Sequence, residues 1–139
     1  MFLLDTDIVI YALKGRAEVL ANLRIHYHDP MFLSTITLME LYYGAYKSRN
    51  VDANLARLKT IETSYPLLAP GAEVVEAFGR IKASLEAQGV RLADLDLIIA
   101  TTALSRNLTL ITNNQKHFQR IPGLKLGNWA STDETSVAR

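Results

Sequence analysis

Cysteine is absent from this chain of 139 residues, and no apolar run in it approaches the length of a membrane span. The lack of cysteine excludes disulfide bonds and thiolate chemistry and is typical of a reducing compartment. A spanning helix needs roughly 18 consecutive apolar residues, and the runs here are much shorter. The N-terminus also lacks the basic start and small-residue cleavage site of a signal peptide, so we expect a cytoplasmic protein.

An excess of charge of one sign is missing as well. The 15 basic and 14 acidic residues leave a net charge of +1, so any binding to a polyanion must depend on a local patch. Apolar residues are plentiful at 49%, and a chain of this length can bury one substantial core. We therefore expect a single domain over residues 1–130 and a loose polar tail over residues 131–139.

Short apolar runs alternate with longer amphipathic stretches along the chain. The runs predict strands, and apolar residues at helical spacing, such as Leu38, Leu41 and Tyr42, predict helices. This alternation indicates an α/β fold with a central, mostly parallel sheet of four or five strands, covered on both faces. Asp94 is the predicted N-cap of the last long helix. The predicted strands are residues 1–5, 31–34, 65–68, 108–111 and 124–126, and the predicted helices are residues 7–14, 17–27, 37–47, 51–63, 72–87 and 95–105.

Three carboxylates lie against hydrophobic segments, where carboxylates are seldom found unless they are paired, hydrogen-bonded or bound to a metal. Asp5 ends the first apolar run, Glu40 interrupts the segment 36–43, and Asp96 precedes the run 97–100. Open parallel sheets bind ligands beyond the carboxyl ends of their strands. We therefore predict that the three acids meet at that end and share a cation.

Each of these acids also has a simpler structural interpretation. Asp5 could cap the following helix, Glu40 could face solvent, and Asp96 could complement a helix N-terminus. Asp7 is better placed for such a first-turn role, and we assign it mainly to structure. The polar residues after the fourth strand are common in turns, although Thr112 and an asparagine could also orient a bound water.

Four segments, taken in order, resemble the motifs of PIN-domain ribonucleases, particularly the VapC toxins of bacterial toxin–antitoxin pairs. They are residues 2–8, 34–45 and 96–104, followed by 108–114 together with 118–124. The resemblance implies a three-layer α/β/α sandwich and RNA cleavage that depends on Mg²⁺ or Mn²⁺, with structured RNA such as tRNA a common target. It also implies a small VapB antitoxin as partner, contact with operator DNA only through that antitoxin, and a homodimer.

The resemblance also assigns roles to individual residues. It implies three metal-coordinating acids, Asp5, Glu40 and Asp96, and a supporting Thr112. We add Asn114 as a second polar residue that supports the acids. One departure from the family pattern concerns the fourth acid that many members carry near the last motif. This chain has Asn113 and Asn114 after the strand and His117 before Phe118. We therefore predict a carboxylate triad and a second metal that is held weakly, is bridged by waters or binds only with substrate.

Two other functions fit parts of the sequence. The segment 5–9 matches the Asp-x-Asp-x-Val pattern of haloacid-dehalogenase-type phosphotransferases, with Asp5 as nucleophile and Asp7 as acid/base. That pattern leaves Glu40 and the segment around Asp96 unexplained. A PIN-like fold without catalysis, acting as an RNA-binding module, would explain the missing fourth acid but not the three acids that remain.

Overall fold

The computed structural model describes residues 1–131, so residues 132–139 of the predicted tail lie outside the described part. The strands are β1 Phe2–Leu4, β2 Met31–Ser34, β3 Leu67–Leu68, β4 Thr109–Ile111 and β5 Lys125–Gly127. The helices are α1 Thr6–Leu13, α2 Ala17–Ile25, α3 Thr35–Lys47, α4 Val51–Ser64, α5 Ala72–Ala87, α6 Asp94–Ser105 and α7 Gln115–Phe118. Within residues 1–131, no helix is both long and apolar enough to cross a membrane.

The five strands form one sheet in the order β3-β2-β1-β4-β5, and every pairing is parallel. The chain builds the sheet from β1 towards one edge through β2 and β3, and then towards the other edge through β4 and β5. The strand order therefore reverses between β1 and β4, and ligands of open α/β sheets bind at such a reversal.

Helices cover both faces of the sheet, which confirms the predicted three-layer architecture. Successive side chains of a strand point to opposite faces. Phe2 and Leu4 accordingly join a core with α1, α2, α3 and α4, whereas Leu3 joins a second core with α5 and α6. Trp129 is fully buried in the first core, where its ring stacks on His26 with a centroid separation of 4.7 Å. The chain therefore stays packed against the domain as far as this residue.

Three helix starts differ from the sequence prediction, and the one-turn helix α7 was not predicted. Helix α1 starts one residue earlier than predicted, at Thr6, because Asp5 caps it. Asp94 is the first residue of α6 rather than its N-cap, a position that Ala93 occupies without a side-chain hydrogen bond. The Asp94 carboxylate instead accepts a hydrogen bond from Lys82 Nζ at 2.7 Å, because α5 packs beside α6. Helix α3 starts two residues earlier than predicted, because Ser34 Oγ accepts from the Ile36 N–H at 3.0 Å and caps it.

Candidate active site

Asp5 lies directly after β1, at the carboxyl end of the sheet, and is only 5% exposed. Its Oδ1 accepts a hydrogen bond from the Thr6 N–H at 2.8 Å and so caps α1. Its Oδ2 accepts from the Thr112 hydroxyl, also at 2.8 Å, and Thr112 directly follows β4. The Asp5 carboxylate therefore caps α1 and also links the ends of β1 and β4, the two strands between which the strand order reverses.

The pKa of Asp5 is raised from its ordinary 3.8 to about 7, mainly by burial and next by the neighbouring charge of Asp7. The hydrogen bonds from Thr112 and Thr6 act in the opposite direction, and the charge of Asp96 makes a smaller upward contribution. Within residues 1–131, Asp5 forms no ion pair with a basic side chain. No basic side chain of the described residues therefore neutralises the charge of Asp5.

Glu40 reaches this site from α3. Its Oε1 accepts a hydrogen bond from Thr6 Oγ1 at 2.8 Å, and the same hydroxyl lies 3.1 Å from Thr37 Oγ1. Thr37 is completely buried, so this link between α1 and α3 is anchored in the core. The exposed face of α3 carries Met39 instead, and Glu40 points towards the residue that follows Asp5 rather than away from the sheet. Thr6 was not singled out from the sequence.

Asp96 lies in the first turn of α6, and its charge raises the pKa of both Asp5 and Asp7. Its Oδ2 lies 3.3 Å from Nε2 of His117, which α7 presents. The imidazole is 26% exposed, so His117 is a half-buried neighbour of the site. The sequence offered no signal for this pairing, because α7 is only one turn long.

Asp7 belongs to the same group of carboxylates, although its sequence position favoured a mainly structural role. Its Oδ2 accepts a hydrogen bond from the Asn113 N–H at 3.1 Å, and its Oδ1 is buried without a hydrogen-bond partner. Burial raises the pKa of Asp7, and the charge of Asp96 adds to that shift. The available signal was an acid in the first turn of a helix whose next residues, Ile8 and Val9, are buried.

Thr112 and Asn114 both follow β4, but the Thr112 side chain is buried and the Asn114 side chain is not. The Thr112 hydroxyl uses its one hydrogen on Asp5 and accepts from the Asn114 N–H at 3.0 Å. The Asn114 side chain is exposed. Thr112 therefore orients Asp5, and Asn114 contributes a backbone donor to that arrangement.

The donor set fits a hard divalent ion, because carboxylate oxygens are the ligands that Mg²⁺ prefers. In residues 1–131, no three Asp, Glu or His side chains stand in a ready-made coordination geometry. Mg²⁺ usually keeps several waters and needs only one or two direct carboxylates. The buried Asp7 Oδ1 without a hydrogen-bond donor is the specific feature that a cation would satisfy.

A family model described as PIN domain matches residues 2–124. Among curated proteins, the chain is 37% identical to ribonuclease VapC2 of Haemophilus influenzae over 129 residues, covering 92% of this chain and 97% of that protein. It is 36% identical over 130 residues to the tRNA(fMet)-specific endonuclease VapC of Shigella flexneri, covering 93% and 98%.

Among solved structures, the fold is similar to a chain of VapBC2 from Rickettsia felis, a complex bound to a DNA fragment from its promoter. The TM-score is 0.87 at 34% identity, with 92% of this chain and 98% of that chain covered. The matches therefore extend over nearly the full length of this chain and of each of these three proteins. On this evidence, the chain belongs to the PIN-domain family and, within it, to the VapC ribonucleases.

Proposed function

We propose that this chain is the toxin of a toxin–antitoxin pair, an endoribonuclease that hydrolyses phosphodiester bonds in structured RNA such as tRNA. The observation that carries the proposal is the buried Asp5, hydrogen-bonded to Thr112 across the reversal of the strand order, in a chain of the VapC family. The name of the Shigella flexneri relative supports a tRNA substrate. Family membership favours this activity over phosphotransfer at Asp5 and over a non-catalytic RNA-binding module.

Asp5, Glu40 and Asp96 would hold the divalent ion, with Mg²⁺ the preferred species and Mn²⁺ a substitute. When bound, such an ion activates water at neutral pH and stabilises the charge that develops on phosphate oxygens. The site already concentrates carboxylates, since the charge of Asp96 acts on both Asp5 and Asp7. This local excess of negative charge supports a cation requirement for RNA to approach.

The remaining side chains would position the acids and the substrate. Thr112 directs one oxygen of Asp5, and Thr6 directs one oxygen of Glu40. Asn114 is exposed beside Thr112, where its amide would contact water or the phosphate. Three exposed basic residues that are close in sequence to the family motifs would contact the RNA backbone: Arg91, Lys116 and Arg120.

A groove of about 400 Å³ between α1, α3 and α4 supports a VapB-type antitoxin as partner. Its walls include the apolar Ile10, Leu13, Leu41 and Leu58, and Glu40 also lines it. Apolar side chains of an antitoxin segment would fill this groove and bring the segment to the site. The Rickettsia felis complex is bound to promoter DNA, which supports contact with operator DNA through the antitoxin. The exposed Met39, Tyr43 and Tyr46 of α3 support a homodimer.

Metal removal tests the proposed activity. The purified chain, freed of antitoxin, is expected to cleave tRNA in Mg²⁺, and EDTA should abolish cleavage because the ion supplies several kcal/mol of transition-state stabilisation. Addition of Mg²⁺ or Mn²⁺ in excess of EDTA should restore it. Gel analysis with mapped product ends is the measurement. Cleavage that continues in EDTA would contradict the proposed metal dependence, and intact RNA in every ion would contradict the nuclease activity.

The link between Thr6 and Glu40 supplies a second prediction. Thr6→Val has nearly the same shape as threonine but lacks the hydroxyl that donates to Glu40 Oε1, so we expect about a tenfold lower single-turnover cleavage rate. Thr6→Ser keeps the hydroxyl and should retain most of the activity. Equal loss in both variants would indicate a packing role for Thr6 instead of a role in orienting Glu40.

A further inference from the structure

The acid that this chain lacks after β4 has a counterpart on another element. We propose that Asp7 supplies the fourth carboxylate of the cation site, from the first turn of α1. This inference rests on the proposed function, because it adds a ligand to the same metal site. It also assigns a role to a residue that its sequence position had placed in the helix start alone.

The two oxygens of Asp7 have different surroundings. Oδ2 accepts the Asn113 N–H at 3.1 Å, which ties the carboxylate to the segment where a fourth acid would otherwise stand. Oδ1 is buried and has no hydrogen-bond partner. A buried acceptor without a donor costs free energy, and a charged one costs more. Coordination of a cation, directly or through its water, would remove that cost.

Asn113 itself is held from two sides, so the direction of Asp7 is well defined. Its Nδ2 donates to the Tyr11 hydroxyl at 3.3 Å, and its Oδ1 accepts from Asn128 Nδ2 at 3.0 Å. Asn128 Oδ1 in turn accepts from the buried Ala130 N–H at 2.8 Å. These contacts connect the loop after β4 to the core that contains Trp129, and they leave the charge of Asp7 unchanged.

Arg16, the basic residue next to Tyr11, has other partners. The Arg16 guanidinium lies over the Tyr11 ring at 4.4 Å, and its Nη2 donates to Ala130 O at 2.8 Å. Within residues 1–131, Asp7 has no ion-pair partner, whereas Asp94 pairs with Lys82 Nζ at 2.7 Å. Asp7 and Asp94 are both acids in the first turn of a helix near the proposed ligands. Lys82 neutralises Asp94, whereas no basic side chain of the described residues neutralises Asp7.

The Asp7→Asn substitution separates a ligand role from a structural role. An asparagine oxygen still accepts the Asn113 N–H, so the loop contact is retained while the charge is removed. We expect Mn²⁺ binding, measured by calorimetry on the full chain, to weaken at least about tenfold, because carboxylate charge sets the affinity of such sites. Asp94→Asn is the matched control and should bind Mn²⁺ like the wild type.

Circular dichroism and the melting temperature in EDTA supply a readout that does not depend on activity. Asp7→Asn should be folded and should melt at or above the wild-type temperature, because an unneutralised buried charge is removed. If it does not fold, Asp7→Ser keeps a short acceptor for Asn113 and takes its place. Wild-type affinity in the folded variant would overturn the proposal, as would equal weakening in Asp94→Asn.

The design also separates this inference from the proposed function. Wild-type protein that binds Mn²⁺ and cleaves RNA, together with unchanged binding in Asp7→Asn, overturns the role of Asp7 alone. Wild-type protein that neither binds Mn²⁺ nor cleaves RNA overturns both. Weakened binding in Asp7→Asn with normal binding in Asp94→Asn supports both.

Discussion

Asp5→Asn is expected to lower the rate of RNA cleavage by on the order of 10³-fold or more while the domain stays folded. Asp5 is the most buried of the proposed ligands, and it is fixed on both oxygens by Thr6 and Thr112. Asparagine has almost the same shape and can still cap α1, but it lacks the negative charge that a divalent ion requires. The loss should therefore lie in the chemical step and in metal affinity, not in the fold.

Single-turnover cleavage of tRNA by purified protein measures this effect. Asp52→Asn is a suitable control, because Asp52 is an exposed acid in the first turn of α4, in the same capping region of a helix but away from the carboxyl end of β1. The control should cleave at close to the wild-type rate. Full activity of folded Asp5→Asn would remove Asp5 from the site and with it the proposed mechanism.

The metal-free protein is expected to lose stability as the pH rises from about 4 to about 7. Asp5 has a pKa of about 7 in the folded chain and an ordinary value of 3.8, so between these values the folded state binds the proton more tightly than the unfolded state. Stability falls with pH wherever the folded state binds more protons. At about 1.4 kcal/mol for each pKa unit, the contribution of Asp5 has an upper limit of about 4 kcal/mol. The raised pKa of Asp7 acts in the same direction.

Urea unfolding in EDTA at pH 5 and pH 7.5 provides the measurement, with the wild type and Asp5→Asn compared at each pH. The difference between the two proteins isolates Asp5 from the three histidines, which titrate in the same range in both. Asp5→Asn should gain stability relative to the wild type as the pH rises, by on the order of 1–3 kcal/mol once solvent relaxation is allowed for. Excess Mg²⁺ should stabilise the wild type and narrow the gap. If the wild type and Asp5→Asn differ in stability by the same amount at both pH values, the Asp5 carboxylate does not destabilise the folded protein when it ionises.

Much of the architecture could be predicted because it depends on local patterns. The apolar run at 2–4 belongs to a strand that is buried on both faces, and such strands lack an alternation of polar residues. The parallel sheet covered by helices is confirmed, with five strands. The errors lie at the ends of helices and strands and in the one-turn helix α7, which was not predicted. Asp94 was predicted as a cap because of its residue type, but the neighbouring Lys82 of α5 determines its partner.

The sequence predicted where the candidate site lies, but it did not predict all the residues that form it. The positions of Asp5, Glu40 and Asp96 after or beside apolar segments were enough to place them at one end of the sheet. Thr6, Asp7 and His117 were not identified as members, because each makes its decisive contact with a residue distant in the chain. Thr6 contacts Glu40, Asp7 contacts Asn113, and His117 contacts Asp96.

The sequence by itself determined the α/β class, the order of the strands and the longer helices, and which acids stand at strand and helix ends, because these follow from periodicity and residue type over a few neighbours. Only the tertiary structure decided which carboxylate oxygens of those acids accept hydrogen bonds. Asp5 and Thr112 lie 107 positions apart, yet β1 and β4 pair and bring them within 2.8 Å. The free oxygen of Asp7 likewise depends on how α1 packs against the loop after β4, and packing between distant segments is not encoded in any single stretch of sequence.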